Sequence, residues 1–512
     1  MNTSLIIIFA FAIIALYLGI RSTRGKDINM DEFAVGNKGF GTMFVFLLIA
    51  GEVYTTFTFL GGSGWAYTNG AAAFYVPAYI CLAYVLSYWL IPKVWRYSKK
   101  HNIISQPSYF ASAFKSTSLG VIAAVLGTVA LVPYIMIQLK GLGIIVSEAS
   151  YGAISPALAS TIGAIIVTTY VIISGIHGSA WTAVLKDIMI LVVIVFLGLY
   201  IPYHYFGGVQ PLFEAVQNSA PEKLTIADSG LSISWFVSTV LLNALGFYLL
   251  PNSFTVALTA SSEKALRKNA ITLPLYTLLL LFAFFIGFAA IIQIPGLQGS
   301  EGDLSLLRLS IQTFDPWIIG VVGAAGLLTA LVPASVMLTS ASIGLTTGVY
   351  KVVKPNSTDR QQLLVSKILI IFIVMISLYF AINGSDALAL LNILSYALIT
   401  QLAPALLFSF AKKPLLNKYG AIAGILVAVT LVFYMQMTGS KIATFFPNVP
   451  AVINDISTGM IALILNFIVA IVVSIATKGL IKETEEGQAP THYSTGLESS
   501  NVADELAVTK ED

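Results

Sequence analysis

Apolar stretches of about 20 residues recur along this chain, about thirteen in all, each long enough to cross the ~30 Å hydrocarbon core of a bilayer. They lie near 4–20, 41–62, 71–92, 118–139, 155–175, 181–203, 232–254, 271–294, 316–345, 363–383, 386–411, 419–438 and 455–477. No water-soluble core hides that many. Apolar residues make 57% of the chain and charged residues 10%, where a soluble domain carries about 25% charged. The chain therefore reads as an all-α polytopic membrane protein.

The basic residues give its orientation. Of 27 lysines and arginines, 22 fall on one set of alternate connections: Arg21, Arg24, Lys26, Lys38; Lys93, Arg96, Lys99, Lys100, Lys115; Lys264, Arg267, Lys268; Lys351, Lys354, Arg360, Lys367; Lys412, Lys413, Lys418; Lys478, Lys482 and Lys510. Only Lys140, Lys223, Arg308 and Lys441 lie opposite, and Lys186 lies inside a span. By the positive-inside rule the amino terminus is outside the cell membrane and the carboxyl terminus is cytoplasmic. A net charge of +3 spread over short loops in this way is a topology signal and points to no nucleic-acid partner. The one cysteine, Cys81, excludes intrachain disulfides and thiolate clusters and reads as a small packing residue. The first span has no basic segment before it, and Arg21 follows it, so it lacks the form of a cleaved signal peptide.

Residues 1–479 read as one membrane domain, with longer outside loops near 204–231 and 295–315. Residues 480–512 read as a disordered acidic cytoplasmic tail. Two spans are interrupted. The second, LLIAGEVYTTFTFLGGSGWAY, holds Gly51 and ends on Gly61, Gly62 and Gly64; the seventh, LLNALGFYLLPNSFTVAL, holds Gly246, Pro251 and Asn252. Non-helical backbone survives at membrane depth only when buried in protein or lining a cavity. Paired interruptions in two halves point to a transporter binding site. These are five spans apart, an odd number, as an inverted repeat requires.

The runs FLGGSGWAYTNG after the second span, WTAVLKDIMILVV in the sixth and LTTGVYK ending the ninth resemble the sodium:solute symporter family over about residues 4–479. GEVYTTFTFLG and LVPASVML resemble most its bacterial branch that includes monocarboxylate permeases. The resemblance implies a leucine-transporter fold, with spans 2–6 and 7–11 as inverted repeats. It implies a first sodium held by the carbonyls of Gly51 and Tyr54 with ninth-span positions Thr329, Val332 and Pro333. Val332 and Pro333 stand where the family has hydroxyls and offer no side-chain oxygen to a hard cation. A second sodium position is implied at Asp187 with Ser335. Lys186 precedes that carboxylate, where the family has a neutral residue.

Glu52, Lys186 and Asp187 are the charged residues deep in spans, where such groups cost about 2.5–3.5 kcal/mol and mark ion or substrate paths. Lys186 and Asp187 are consecutive, about 100° apart on a helix, so they are expected not to face each other. Glu52 is then the expected partner of Lys186, and the coupling ion is sodium or a proton. Thr55, Thr56 and Thr58 after the second break, Asn243 and Asn252 at the seventh, and the amides Gln138 and Gln401 are solute candidates, each also readable as an interhelical bond. The histidines at 101, 177, 204 and 492 fall at loops or in the tail without metal-ligand spacing. No nucleophile elbow, filter repeat or output domain supports an enzyme, channel or sensor. Secondary active symport of a small organic solute remains. The aromatic wall Tyr54, Phe57, Phe247 and Tyr248, with few donors for hydroxyls, argues against a sugar. A short monocarboxylate is the expected solute, and proline or another amino acid the alternative.

Overall fold

A computed structural model of the protein describes residues 3–23, 28–411 and 415–479. The tail expected at 480–512 lies outside them. Among the described residues the chain is helical throughout, with one isolated strand-like bridge, Phe40 to Ala260. Among the described residues ten helices are long and apolar enough to cross a membrane, or eleven when the bent pair Ile233–Leu249 and Pro251–Leu258 counts as one crossing.

Two of the long helices run through a turn. Pro156–Phe206 would measure ~77 Å if straight, at 1.5 Å per residue. It breaks at Gly175 (φ 51°, ψ −148°), a backbone region that side chains rarely adopt. The Tyr170 hydroxyl then meets the Thr182 hydroxyl at 2.7 Å, which is possible only because the chain folds back between them. Phe57–Lys100 likewise carries the second half of the second span and the whole third span, turning at Gly70 (φ 55°).

The ninth-span helix, Pro316–Val353, is central: 94% of its most apolar window is buried inside the protein, against 28% for Asp359–Asn383 and 33% for Thr3–Ser22. It packs on the first, fourth, fifth and sixth spans. The two broken spans lie against each other. At one end the Phe40 N–H donates to the Thr259 carbonyl at 3.0 Å, and the Ser261 N–H returns a bond to the Phe40 carbonyl at 3.0 Å.

Candidate functional site

The second span is helical over Thr42–Val53, leaves the helix at Tyr54 (φ −86°, ψ 76°) and resumes at Phe57. The break falls three residues after Gly51, and side chains hold it open. The Thr58 hydroxyl lies 2.7 Å from the Val53 carbonyl and accepts from the Thr55 N–H at 3.0 Å. Thr55 Oγ1 accepts from the Phe57 N–H at 3.2 Å. Both hydroxyls thus replace backbone partners that the break removes. Thr56 turns outward from the break: its N–H and its hydroxyl both donate to Gln138 Oε1 of the fourth span, at 3.2 and 2.9 Å. The three threonines expected to bind solute are committed to the protein's own architecture.

At the seventh span, helix Ile233–Gly246 gives way through Phe247–Leu249 to Pro251–Leu258, with a bend of 50°. Proline at the first position of the second piece needs no N–H partner there. The Asn252 amide donates to Glu52 Oε2, joining the two broken spans at their breaks. Glu52 Oε1, Asn252 Oδ1 and both amide atoms of Asn243 are buried with no hydrogen-bond partner among the described residues. Buried polar atoms are nearly always satisfied, so these orphans at the two breaks are polar groups that a guest could satisfy.

The orphaned surface continues beyond the sequence candidates. The Tyr75 and Tyr84 hydroxyls of the third span also lack a hydrogen-bond partner among the described residues, while the Asn392 amide and Tyr396 hydroxyl of the eleventh face the Tyr79 hydroxyl. Tyr79 stacks edge-on to Tyr396 at 5.3 Å and Tyr84 to Phe247 at 5.5 Å. A Cβ on Gly246 would stand 2.9 Å from the Tyr396 ring, so this glycine lets the eleventh span close on the seventh-span break. The regular spacing of Tyr75, Tyr79 and Tyr84, and of Asn392 and Tyr396, was the available signal.

Lys186 and Asp187 depart from their expected geometry. Although consecutive, they form an ion pair at 2.7 Å, a separation that the long, flexible lysine stem can bridge. Neither Asp187 oxygen has an aligned hydrogen-bond donor among the described residues, so the contact is chiefly coulombic. Lys186 is fully buried, and its ammonium also donates to the Tyr54 carbonyl at 3.4 Å. A Cβ on Gly51 would lie 3.4 Å from this ammonium and 4.0 Å from Val332 Cγ1. The lysine charge therefore stands among Gly51, Tyr54 and Val332.

A family model, "Sodium:solute symporter family", matches residues 33–428. The chain belongs to the sodium:solute symporter family. "Uncharacterized symporter YhjB" of Bacillus subtilis (strain 168) is 53% identical over 478 residues, covering 93% of this chain and 98% of its own. "Monocarboxylate transport permease protein" of Rhizobium johnstonii (strain DSM 114642 / LMG 32736 / 3841) is 27% identical over 416 residues, covering 80% and 83%. Among solved structures, a Na+-coupled sialic acid symporter in a substrate-bound outward-open state superposes with a TM-score of 0.75 at 18% identity, covering 93% of this chain and 98% of that one. The fold is the leucine-transporter-like one, and the protein is a multi-pass membrane transporter, not an enzyme.

Within that family frame other expectations need correction. Ser335 does not meet Asp187. Its hydroxyl lies 2.6 Å from the Val332 carbonyl and 2.6 Å from the Ser179 hydroxyl, two helical turns before Asp187. Thr329 bonds the Gly326 carbonyl of its own helix at 2.6 Å. Gln401 bonds the Ala397 and Gly459 carbonyls, and Asn466 of the last span donates to the Gln401 carbonyl at 2.7 Å, so Gln401 docks the last span. His177 is buried at the Gly175 turn with Glu32 at 2.6 Å and the Phe40 ring edge-on at 5.1 Å. Buried acids also lie outside the membrane-spanning helices: Glu32 in the short helix Met30–Val35, Asp303 in the 3₁₀ turn Gly299–Leu304, and Asp455.

Proposed function

We propose that this symporter imports a short monocarboxylate, with a proton in place of the sodium that the family ordinarily uses. The observation that carries the coupling ion is Lys186, whose ammonium stands where the resemblance implies a sodium between the Gly51 and Tyr54 carbonyls. A tethered cation at that seat repels a mobile one, and Val332 supplies no oxygen to hold it. Ser335 is engaged with Ser179, which removes the expected oxygen partner of Asp187.

The solute class is supported by the donors left open at the breaks and by the likeness to a monocarboxylate permease. Asn243 Nδ2 and the Tyr75 and Tyr84 hydroxyls are the donors suited to a carboxylate. Half-helix amino ends at the breaks add partial positive charge. By the basic-residue asymmetry, import runs toward the face bearing Lys99 and Lys268.

The test is uptake of radiolabelled pyruvate, lactate, acetate and proline by proteoliposomes under separately imposed proton and sodium gradients. Monocarboxylate uptake should follow the proton gradient in sodium-free buffer. Asn243→Ala should weaken apparent affinity about tenfold or more, the cost of about 1.5–3 kcal/mol for a lost hydrogen bond to a charged group. Lys186→Ala should abolish uptake. Sodium-dependent uptake that survives Lys186→Ala would overturn the proton reading, and proline uptake in place of monocarboxylates would overturn the solute.

A further inference from the structure

Three charges are shut into the centre of the molecule, and the structure pairs only two of them. Lys186 and Asp187 neutralise each other at 2.7 Å. Glu52 is 2% exposed, and no cation lies within ion-pair distance of it among the described residues. Its Oε2 accepts from Asn252, and its Oε1 has no partner. An isolated buried carboxylate costs so much in a low-dielectric interior that the group neutralises instead. A neutral carboxyl at this place has an O–H to donate, and its Oε1 meets no hydrogen-bond partner among the described residues.

The surrounding groups do not supply the missing charge. From the fourth span the Tyr134 hydroxyl donates at 3.3 Å to the backbone carbonyl of Glu52, not to its carboxyl. Tyr54 shares its span, and its hydroxyl is spent on the Tyr276 carbonyl at 2.8 Å. The seventh-span pieces offer Asn252 and the neutral Tyr248, the third span offers neutral tyrosines, and the ninth-span helix Pro316–Leu345 contains no charged residue. Lys186 and Asp187 of the sixth span are the remaining charged neighbours, already paired.

We propose that Glu52 is the group that binds and releases the coupled proton, with Asn252 holding the protonated carboxyl across both broken spans. This rests on the monocarboxylate symport reading for the identity of the solute. On the uptake side the Glu52 carboxylate takes a proton from water and becomes a carboxylic acid. The solute anion then binds against its free O–H. On the release side the anion leaves, the proton returns to water, and Glu52 is again a carboxylate. For the empty return step Lys186 is the nearest countercharge, its ammonium lying beside Gly51, one residue away in sequence. One proton travelling with one monoanion moves no net charge. Transport is therefore electroneutral.

Proteoliposomes containing the full chain, as wild type, Glu52→Gln and Glu52→Asp, test this. In the wild type one unit of pH gradient should sustain about a tenfold gradient of labelled solute, unaltered when valinomycin and potassium set the membrane potential. Glu52→Gln, which mimics the protonated form, should lose that accumulation while solute exchange across the membrane continues at a reduced rate. Glu52→Asp should retain proton-driven accumulation with a shifted pH profile. Accumulation by Glu52→Gln in response to the pH gradient, or potential-driven accumulation in the wild type, overturns the proposal. Infrared spectroscopy gives a readout that needs no solute: a protonated-carboxyl band present in the wild type and missing in Glu52→Gln. Absence of that band from the wild type overturns the proposal whatever the solute. If the band behaves as stated and no monocarboxylate is carried, the solute assignment fails and the assignment of Glu52 stands.

Discussion

Asp303 shows how a single carboxyl outside the spans can tie several elements together. It lies in the 3₁₀ turn Gly299–Leu304 between the eighth and ninth spans, and its Oδ2 accepts from the Leu388 N–H at 3.0 Å, at the start of the eleventh. Gly64 of the second span must be glycine there, because a Cβ would stand 2.7 Å from Asp303 Oδ1. Burial raises this carboxyl from 3.8 to about 6, against the Leu388 bond and the attraction of Lys140, which lower it. The folded form therefore holds its proton more tightly than the unfolded form. Stability from this group is present below about pH 4 and is lost as pH rises toward 6. The Tm of the purified protein should fall across that interval, and Asp303→Asn, which keeps an acceptor for Leu388, should flatten the profile. An unchanged profile in the variant would show that Asp303 is not the titrating group. Nothing in GSEGDLSLLR marks this residue, since an acidic side chain in a polar loop is ordinary. Glu52, Lys186 and Asp187 were legible for the opposite reason: a charge within an apolar run demands a partner.

At the scale of elements, glycines decide where long apolar helices turn. Gly70 has φ 55°, and a Cβ there would stand 2.1 Å from the Lys223 carbonyl oxygen, so both conformation and space require glycine. Gly207 shares the positive φ, at 86°, with nothing within 4 Å. Gly207→Ala should therefore show only the backbone cost, of order 1–3 kcal/mol, while Gly70→Ala adds displacement of the 221–224 turn. A thermal-shift comparison should find Gly70→Ala distinctly less stable; equal losses would mean that the loop gives way freely. The same logic separates the two kinds of candidate residue at the breaks. Threonines next to a broken helix were expected to meet solute, yet the carbonyls and N–H groups freed by the break claim Thr55 and Thr58 first. Asn243 has no such claim on it, and its amide stays open.

For the whole molecule, the basic loops set a testable orientation. Single cysteines placed at Lys99 or Lys268 in a Cys81→Ala background should resist a membrane-impermeant maleimide in intact cells. Cysteines at Lys223 or Lys441 should react. External labelling at Lys99 or Lys268 would invert the map and with it the direction proposed for transport.

The sequence by itself was enough for the helical class, the apolar membrane-spanning character, the two interruptions and the three buried charges, because apolar length, backbone breakers and intramembrane charge are local properties. Which span is central was hidden: the windows of Asp359–Asn383 and Pro316–Val353 have mean hydropathies of 2.6 and 2.1, yet 28% and 94% of them are buried in protein. Lipid and protein interior are equally apolar, so hydropathy cannot tell a lipid-facing helix from a central one. Pairing was hidden as well. The partners of Lys186, Asn252, Gln401 and Ser335 depend on which helices lie side by side and on how a long side chain bends. Only the tertiary structure sets those distances, and among the described residues it left the intramembrane Glu52 with no counterion at ion-pair distance.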